Sequence, residues 1–329
     1  MANSTLNKKL DLSWGNPYFL LEILQNIYTP KTGGILPIGD LTYADDIGEE
    51  RLLKYIENIT KITTGQTYKH YIITNGATQA INTVMRVWSK ERNLKNVVTS
   101  KLGYPYYSGM IRKHEKLSHK KTNLNTYDSD SNKDIILIDS PSNPLGEQLN
   151  RTYEGNVLWD NVYHNTIYNA CPAIQPKHNV SVGSFSKLLG LTGARVGWIA
   201  TNNHFDFQEF AVDALYENAT VSKISQHLII NILDSIDLNQ FMGLGKNSLD
   251  QNRMGLQKLA HITGVDVQEK GMFYCFEADG KLFDLFDRAN ITYVRLNDGN
   301  NDLIRLNIGQ TNDILKKAVK AVLKADRIK

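Results

Sequence analysis

From about residue 70 to 205, short apolar runs alternate with stretches of helical periodicity, the pattern of parallel strands joined by crossover helices. The runs His70–Thr74 (HYIIT), Asn96–Thr99, Asp134–Ile138 (DIILI), Asn156–Trp159 (NVLW), Asn179–Ser184 and Val196–Thr201 (VGWIAT) are expected as strands, each followed by turn chemistry. After the first run, Ala80, Ile81, Val84, Met85 and Trp88 recur at three- and four-residue spacing. That spacing predicts a helix beginning at Asn75-Gly76-Ala77-Thr78 with its apolar face on the sheet.

The pattern changes near Phe205. A long helical stretch runs through Asp237, and Met272–Phe276 (MFYCF), Thr292–Arg295 and Leu303–Ile308 are expected as strands. A helix closes the chain, with Thr311 as candidate N-cap, Asp313 in the first turn and lysines toward the end, as the helix dipole prefers. At 329 residues the chain exceeds a single-domain length of roughly 150. The expected division is a segment 1–30 belonging to a small domain, a large domain 31–204 and a small α+β domain 205–329.

Composition narrows the function classes. Hydrophobic residues at 41% and charged residues at 22% suit a soluble globular chain with a sizeable core. The net charge of +3 (37 − 34) is spread along the chain, which is no footprint for nucleic acid. Cys171 and Cys275 are too few and too far apart for a disulfide framework or a Cys-rich zinc site, so no metal is expected and a reducing cytoplasm fits. Met1 to Trp14 lacks the apolar core of a signal peptide, and no run approaches the roughly 18 apolar residues that span a bilayer.

The strongest local chemistry is Ser184-Phe185-Ser186-Lys187, followed by Gly190, Gly193, Arg195 and Gly197-Trp198. A lone lysine is ordinarily a solvated surface group, because burying an ammonium is costly. This one directly follows an apolar strand and has an arginine eight residues on, and strand ends are where α/β folds place their ligands. The segment SFSKLLGLTGARVGW resembles the cofactor-lysine segment of fold-type I pyridoxal-phosphate enzymes, the class I/II aminotransferases among them. Its Lys-x-x-Gly-x-x-Gly-x-Arg-x-Gly-Trp spacing is also similar to the alliinase and tryptophan-aminotransferase branch. The resemblance runs in order from about Leu12 to Gly309 and implies an α/β fold: a mostly parallel sheet in a large domain beside a smaller α+β domain.

Carried over residue by residue, the resemblance implies that Lys187 forms the Schiff base with pyridoxal 5′-phosphate and moves the proton between the substrate α-carbon and the cofactor. Gly76-Ala77-Thr78 resembles the phosphate loop, where N–H groups at a helix start and a hydroxyl bind an anion. Ser184 and Arg195 match further phosphate ligands, and Tyr43, in YADDIGEERL, matches a tyrosine that reaches the neighbouring subunit's phosphate. A homodimer with composite sites is therefore implied. Asp160, ending NVLWD, matches the aspartate that keeps the pyridine nitrogen protonated. Tyr163 and Asn143, the latter in a turn similar to Asn-Pro-x-Gly, match ligands of the ring's phenolic oxygen. Pro105-Tyr106-Tyr107 resembles the ring-stacking segment, with Tyr107 the expected stacker and Tyr104 and Tyr106 as competitors. Arg305, in LIRLNIG, matches the arginine that grips the substrate α-carboxylate, to which a planar fork is suited, while Arg295 is expected in solvent. Gly15, in LSWGNP, resembles the glycine whose backbone lines the substrate pocket.

These features imply an aminotransferase moving an amino group from an L-amino acid to a 2-oxo acid. A lyase of the same fold, eliminating a β-substituent or removing carbon dioxide, shares the cofactor groups. A cofactor-binding regulator is less favoured, since only about ten residues precede LDLSWG, leaving no room for a DNA-binding domain; an inactive scaffold is disfavoured by the presence of Lys187, Asp160, Tyr163 and Arg305. No arginine occurs between residues 201 and 250. That argues against a second carboxylate clamp and leaves aromatic, neutral or basic donors open, with Lys223 as a less specific substitute.

Overall fold

The computed structural model describes residues 9–28, 42–130, 132–149, 151–170 and 179–327; Cys171 lies outside them. In chain order the strands are β1 (Leu10–Asp11), β2 (His70–Thr74), β3 (Asn96–Ser100), β4 (Ser118–Thr122), β5 (Asp134–Asp139), β6 (Asn156–Asp160), β7 (Val180–Ser184), β8 (Gly197–Thr201), β9 (Phe273–Glu277), β10 (Ile291–Thr292), β11 (Val294–Asn297) and β12 (Asp302–Asn307). β2 to β8 form a seven-stranded sheet of order β2-β8-β7-β6-β5-β3-β4. Its pairings are parallel except at β8, which runs antiparallel to both β2 and β7. The apolar runs thus mark the strands and the sheet is mostly parallel, as expected, but periodicity carries no direction and does not foretell which strand, β8, runs the other way.

Alternation along the strands sorts side chains between two faces. Ile72 of β2, Val180 and Val182 of β7 and Ile199 of β8 pack with Val84, Met85 and Trp88 of the helix Gly76–Glu91. Tyr71, Ile73, Trp198 and Ala200 join the opposite cluster, which runs through the helix Glu50–Thr64 to Phe273, Ile304 and Leu306. That second cluster ties the sheet to the antiparallel sheet β11-β12-β9. The pairing of β1 with β10 fastens residues near the N-terminus to the C-terminal region.

Several details differ from the expected elements. β4 (SHKKT) is a largely exposed edge strand whose lysines give no apolar signal. The helical stretch after Phe205 is two helices, His204–Asn218 and Lys223–Leu233, separated at Ala219 with φ of 56° and restarted by the Ser222 side chain accepting from the Ser225 amide. The first of them, expected with the small domain, packs on the helix Gly76–Glu91 and on β2. Thr311 does stand at the N-cap position of Asn312–Asp326, yet makes no side-chain cap bond. Among the described residues no helix is long and apolar enough to cross a membrane.

Gly197 is closed in by backbone at the sheet edge. A Cβ there would sit 2.6 Å from the Gly76 carbonyl carbon, 2.7 Å from the Gly183 oxygen and 2.8 Å from the Ala77 nitrogen, all backbone atoms with no means of retreat. Gly197→Ala should therefore destabilise the protein by about 3 kcal/mol, at the upper end of ordinary overpacking. Urea unfolding measures it, and a change under roughly 0.5 kcal/mol would show that the edge is looser than described.

Candidate active site

Strand register brings the candidate residues to one edge. Thr74 pairs with Gly197 and Gly197 with Ser184, while Asp139 pairs with Asp160. The loops that leave β2, β5, β6 and β7 therefore start side by side, and Arg195 enters the same edge just before the antiparallel β8.

Lys187 lies on the single helical turn Phe185–Leu188 that follows β7. Its Nζ donates to the Gly15 carbonyl. A Cβ on Gly15 would stand 3.2 Å from the Phe273 ring and 3.7 Å from the Tyr163 hydroxyl, so the Tyr163 ring, itself buried, reaches the same point. Burial, with smaller contributions from the positive charges of Arg195 and Arg305, lowers the Lys187 amine from its usual 10.5 to about 8. An amine so placed carries a substantial neutral fraction near physiological pH and can act as nucleophile and base.

Asp160 closes β6 at 9% exposure. Its Oδ2 accepts the Tyr107 hydroxyl at 2.7 Å and its Oδ1 the Val162 amide at 3.1 Å, and burial raises its pKa. Here the structure departs from the expected stacking role of Tyr107. That ring is 2% exposed and belongs to the apolar cluster beneath the sheet, with its hydroxyl committed to Asp160. Tyr104 instead stands edge-on to it at 5.3 Å and is raised to about 12 by burial and by the charge of Asp160, with Arg305 and Arg195 opposing. Tyr106 is 60% exposed.

Arg305, on β12, stacks over the Phe273 ring at 4.4 Å. It donates to Asn143 Oδ1 at 2.9 Å and to the Ser13 carbonyl at 3.0 Å, and its buried Nε has no acceptor. A buried guanidinium with a donor left over is suited to a planar anion. Asn143 is 2% exposed in the turn after β5, whose Ser140-Pro141 and Asn143-Pro144 bonds are both cis. Arg295 has another setting: largely exposed, paired with Asp302 and lying over Phe283.

An anion cradle forms at the start of the helix Gly76–Glu91. Asn75, at the N-cap, makes no side-chain cap bond, which leaves the first-turn N–H groups of Ala77 and Thr78 without a side-chain acceptor. Arg195, in the left-handed region with φ of 54°, donates to the Thr192 carbonyl at 3.0 Å and the Asn75 carbonyl at 3.4 Å. Its guanidinium lies so close to Gly76 that a Cβ there would be 2.7 Å from Nη2. Gly76 itself has φ of 74°. Ser184 is placed differently from an open ligand: its hydroxyl accepts the Ser186 amide and donates to the Val196 carbonyl at 3.1 Å. Tyr43 is 80% exposed.

Sequence reasoning passes over Asp139, the carboxylate closing β5. It is 7% exposed, and its Oδ2 accepts the amides of Tyr104 at 3.2 Å and Asn143 at 3.0 Å. The signal was the same as for Asp160, an acid ending an apolar strand. Phe273 beneath Arg305 and the carbonyls of Ser13 and Gly15 are likewise invisible to motif reading, because their parts in the site come from contacts between distant segments.

Comparison with known proteins agrees with this geometry. The class I and II aminotransferase profile matches residues 8–322. The chain is 28% identical over 198 residues to a (5-formylfuran-3-yl)methyl phosphate transaminase of Methanocaldococcus jannaschii, covering 54% of this chain and 52% of that protein. It is 31% identical over 172 residues to a probable aminotransferase of Arabidopsis thaliana, covering 44% and 38%. It thus spans about half or less of the length of these curated relatives. In fold it is similar to a Thermus thermophilus aspartate aminotransferase mutant complexed with tryptophan, with TM-score 0.77, 14% identity and coverage of 98% and 92%. It is also similar to an Escherichia coli methionine aminotransferase, with TM-score 0.75, 18% identity and coverage of 96% and 94%. With a profile match over nearly its whole length and a site of this composition, the chain belongs to the class I and II aminotransferases, a family of pyridoxal-phosphate-dependent enzymes.

Proposed function

We propose that the protein transfers the amino group of an L-amino acid to a 2-oxo acid, with Lys187 as the residue that attaches the cofactor and moves the proton. The observation that carries this reading is the buried Lys187 amine at the end of β7, lowered to about 8 and lying within the fields of Arg195 and Arg305. The donor set fits pyridoxal phosphate: an uncapped helix start with Arg195 pressed on Gly76 suits the phosphate, and a buried carboxylate suits the pyridine nitrogen.

When bound, the cofactor supplies an electron sink for the substrate's α-carbon. Gly76, Ala77, Thr78, Arg195 and Ser184 would hold the phosphate, Ser184 by turning its hydroxyl from Val196. Asp160, braced by Tyr107, would hold the proton on the pyridine nitrogen. Tyr163 and Asn143 would hold the phenolic oxygen, and Tyr104 rather than the buried Tyr107 would stack on the ring. Arg305 would take the substrate carboxylate and direct the α-hydrogen toward the Lys187 amine, which would take up that proton and later give it back. Lys223 lies 3.9 Å from Glu49, so its charge is already offset. That supports aromatic, neutral or basic donors over dicarboxylates. The coenzyme chemistry and the soluble fold suit amino-acid metabolism in the cytoplasm.

We further propose a homodimer in which Tyr43 completes the partner's phosphate site. Tyr43, Tyr216, Ile224 and Leu228 are all exposed, and Ile224 and Leu228 flank Gln226, which accepts the Glu49 amide at 2.9 Å. Large apolar side chains left in water favour burial against another chain.

A single turnover with an amino acid lacking a β-leaving group should convert the bound cofactor to pyridoxamine phosphate with one equivalent of 2-oxo acid, and a 2-oxo acid should reverse it. Release of pyruvate and ammonia from β-substituted cysteines, with no pyridoxamine form from any donor, would establish the lyase instead. For the composite site, Tyr43→Phe and Lys187→Ala chains are mixed. Heterodimers then carry one intact site and one doubly damaged site, so activity should recover to about a quarter of wild type on random exchange. No recovery in chains shown to exchange would contradict a shared site.

A further inference from the structure

The pairing of Asp139 with Asp160 raises a charge problem that Asp160's role alone does not answer. The two residues are directly opposite on β5 and β6, so both side chains leave the same face of the sheet. Both are buried, and no lysine or arginine among the described residues forms an ion pair with either. The titratable groups that face Asp139 are Asp160 on β6, Tyr104 and Tyr107 from the loop and helix after β3, and Tyr163 after β6; Arg305 acts on Tyr104 and Tyr163 and donates to Asn143 beside them. Two carboxylates so placed cannot both ionise cheaply.

Their hydrogen bonds differ in kind. Asp160 has an acceptor bond on each oxygen, one from a hydroxyl and one from an amide. Asp139 receives both of its amides on Oδ2, while Oδ1 is buried without a partner. Oδ2 is thus the carbonyl oxygen of a neutral acid in form, and Oδ1 the place for its proton. Its two donors belong to Tyr104 and Asn143, the heads of two loops that enter the site.

We propose that Asp139 is a positioning residue that stays neutral in the working enzyme, anchoring the Tyr104 loop and the Asn143 turn while leaving the pair's single negative charge on Asp160. Burial, reinforced by the charge of Asp160, pushes the Asp139 carboxyl up to about 8, in keeping with that state. The inference rests on the cofactor site and is independent of which amino acid is the donor.

Asp139→Asn mimics the neutral acid, since its carbonyl keeps both amide bonds and its NH₂ replaces the proton-bearing oxygen. Asp139→Ala removes the anchor. Urea unfolding of cofactor-free protein from pH 5 to 8 reads the charge state. An acid that keeps its proton in the fold but loses it on unfolding makes stability fall as pH rises through this window. The unfolding constant of wild type relative to the Asn variant should therefore grow with pH, by up to tenfold per unit. A ratio that stays constant would overturn the neutral assignment. Cofactor affinity reads the anchor: Asp139→Ala should raise Kd at least about tenfold, one to two lost hydrogen bonds, and Asp139→Asn should restore most of it. An Asn variant as weak as the Ala variant, or an Ala variant equal to wild type, would overturn the positioning role. Should the Ala variant not fold, the pH series of the Asn variant decides alone.

Discussion

Keeping an amine out of water between two guanidinium groups is the constraint on which the rest of the site depends. Lowering Lys187 from 10.5 to about 8 corresponds to roughly 3 kcal/mol against the charged form. In the cofactor-free protein this cost is present in full below pH 8 and relieved as pH rises toward 10.5, because there the unfolded chain holds the proton more tightly than the fold does. Part of the compensation is local, through the Gly15 carbonyl. The remainder comes from the apolar cluster that joins Phe185 and Trp198 to Phe273 across both sheets.

The same edge explains why small residues crowd around a site of large charges. Gly197 lets β8 approach the start of the helix Gly76–Glu91, and Gly76 admits the Arg195 guanidinium. Arg195 then does two things from one position: it lends positive charge to an anion cradle and repels the Lys187 ammonium. At the other side, Asn143 couples Arg305 to Asp139, so the arginine proposed to take the substrate carboxylate and the carboxylate pair share one turn. Sites built from such shared residues respond to a single substitution at several points, and double-mutant measurements are the means to separate them.

Legibility in the sequence follows the physics of each feature. Strands buried on both faces, such as DIILID and NVLWD, stand out because they are apolar throughout; Lys187 and Asp160 are picked out by their place at the end of such runs and Arg195 by its spacing from Lys187. The antiparallel β8, the charged edge strand β4 and the break at Ala219 are not, since direction, edge position and helix restart depend on tertiary contacts. Tyr107 and Tyr104 illustrate the limit most clearly. Three tyrosines in four residues have nothing to tell them apart until the Asp160 carboxylate claims one hydroxyl and burial claims its ring.

The most direct test of the account is where the cofactor attaches. Incubating the protein with pyridoxal phosphate, reducing with borohydride and mapping the peptides should place a single pyridoxyl adduct on Lys187. An adduct on another lysine, or no adduct in folded protein, would contradict the central claim that this buried amine organises the site.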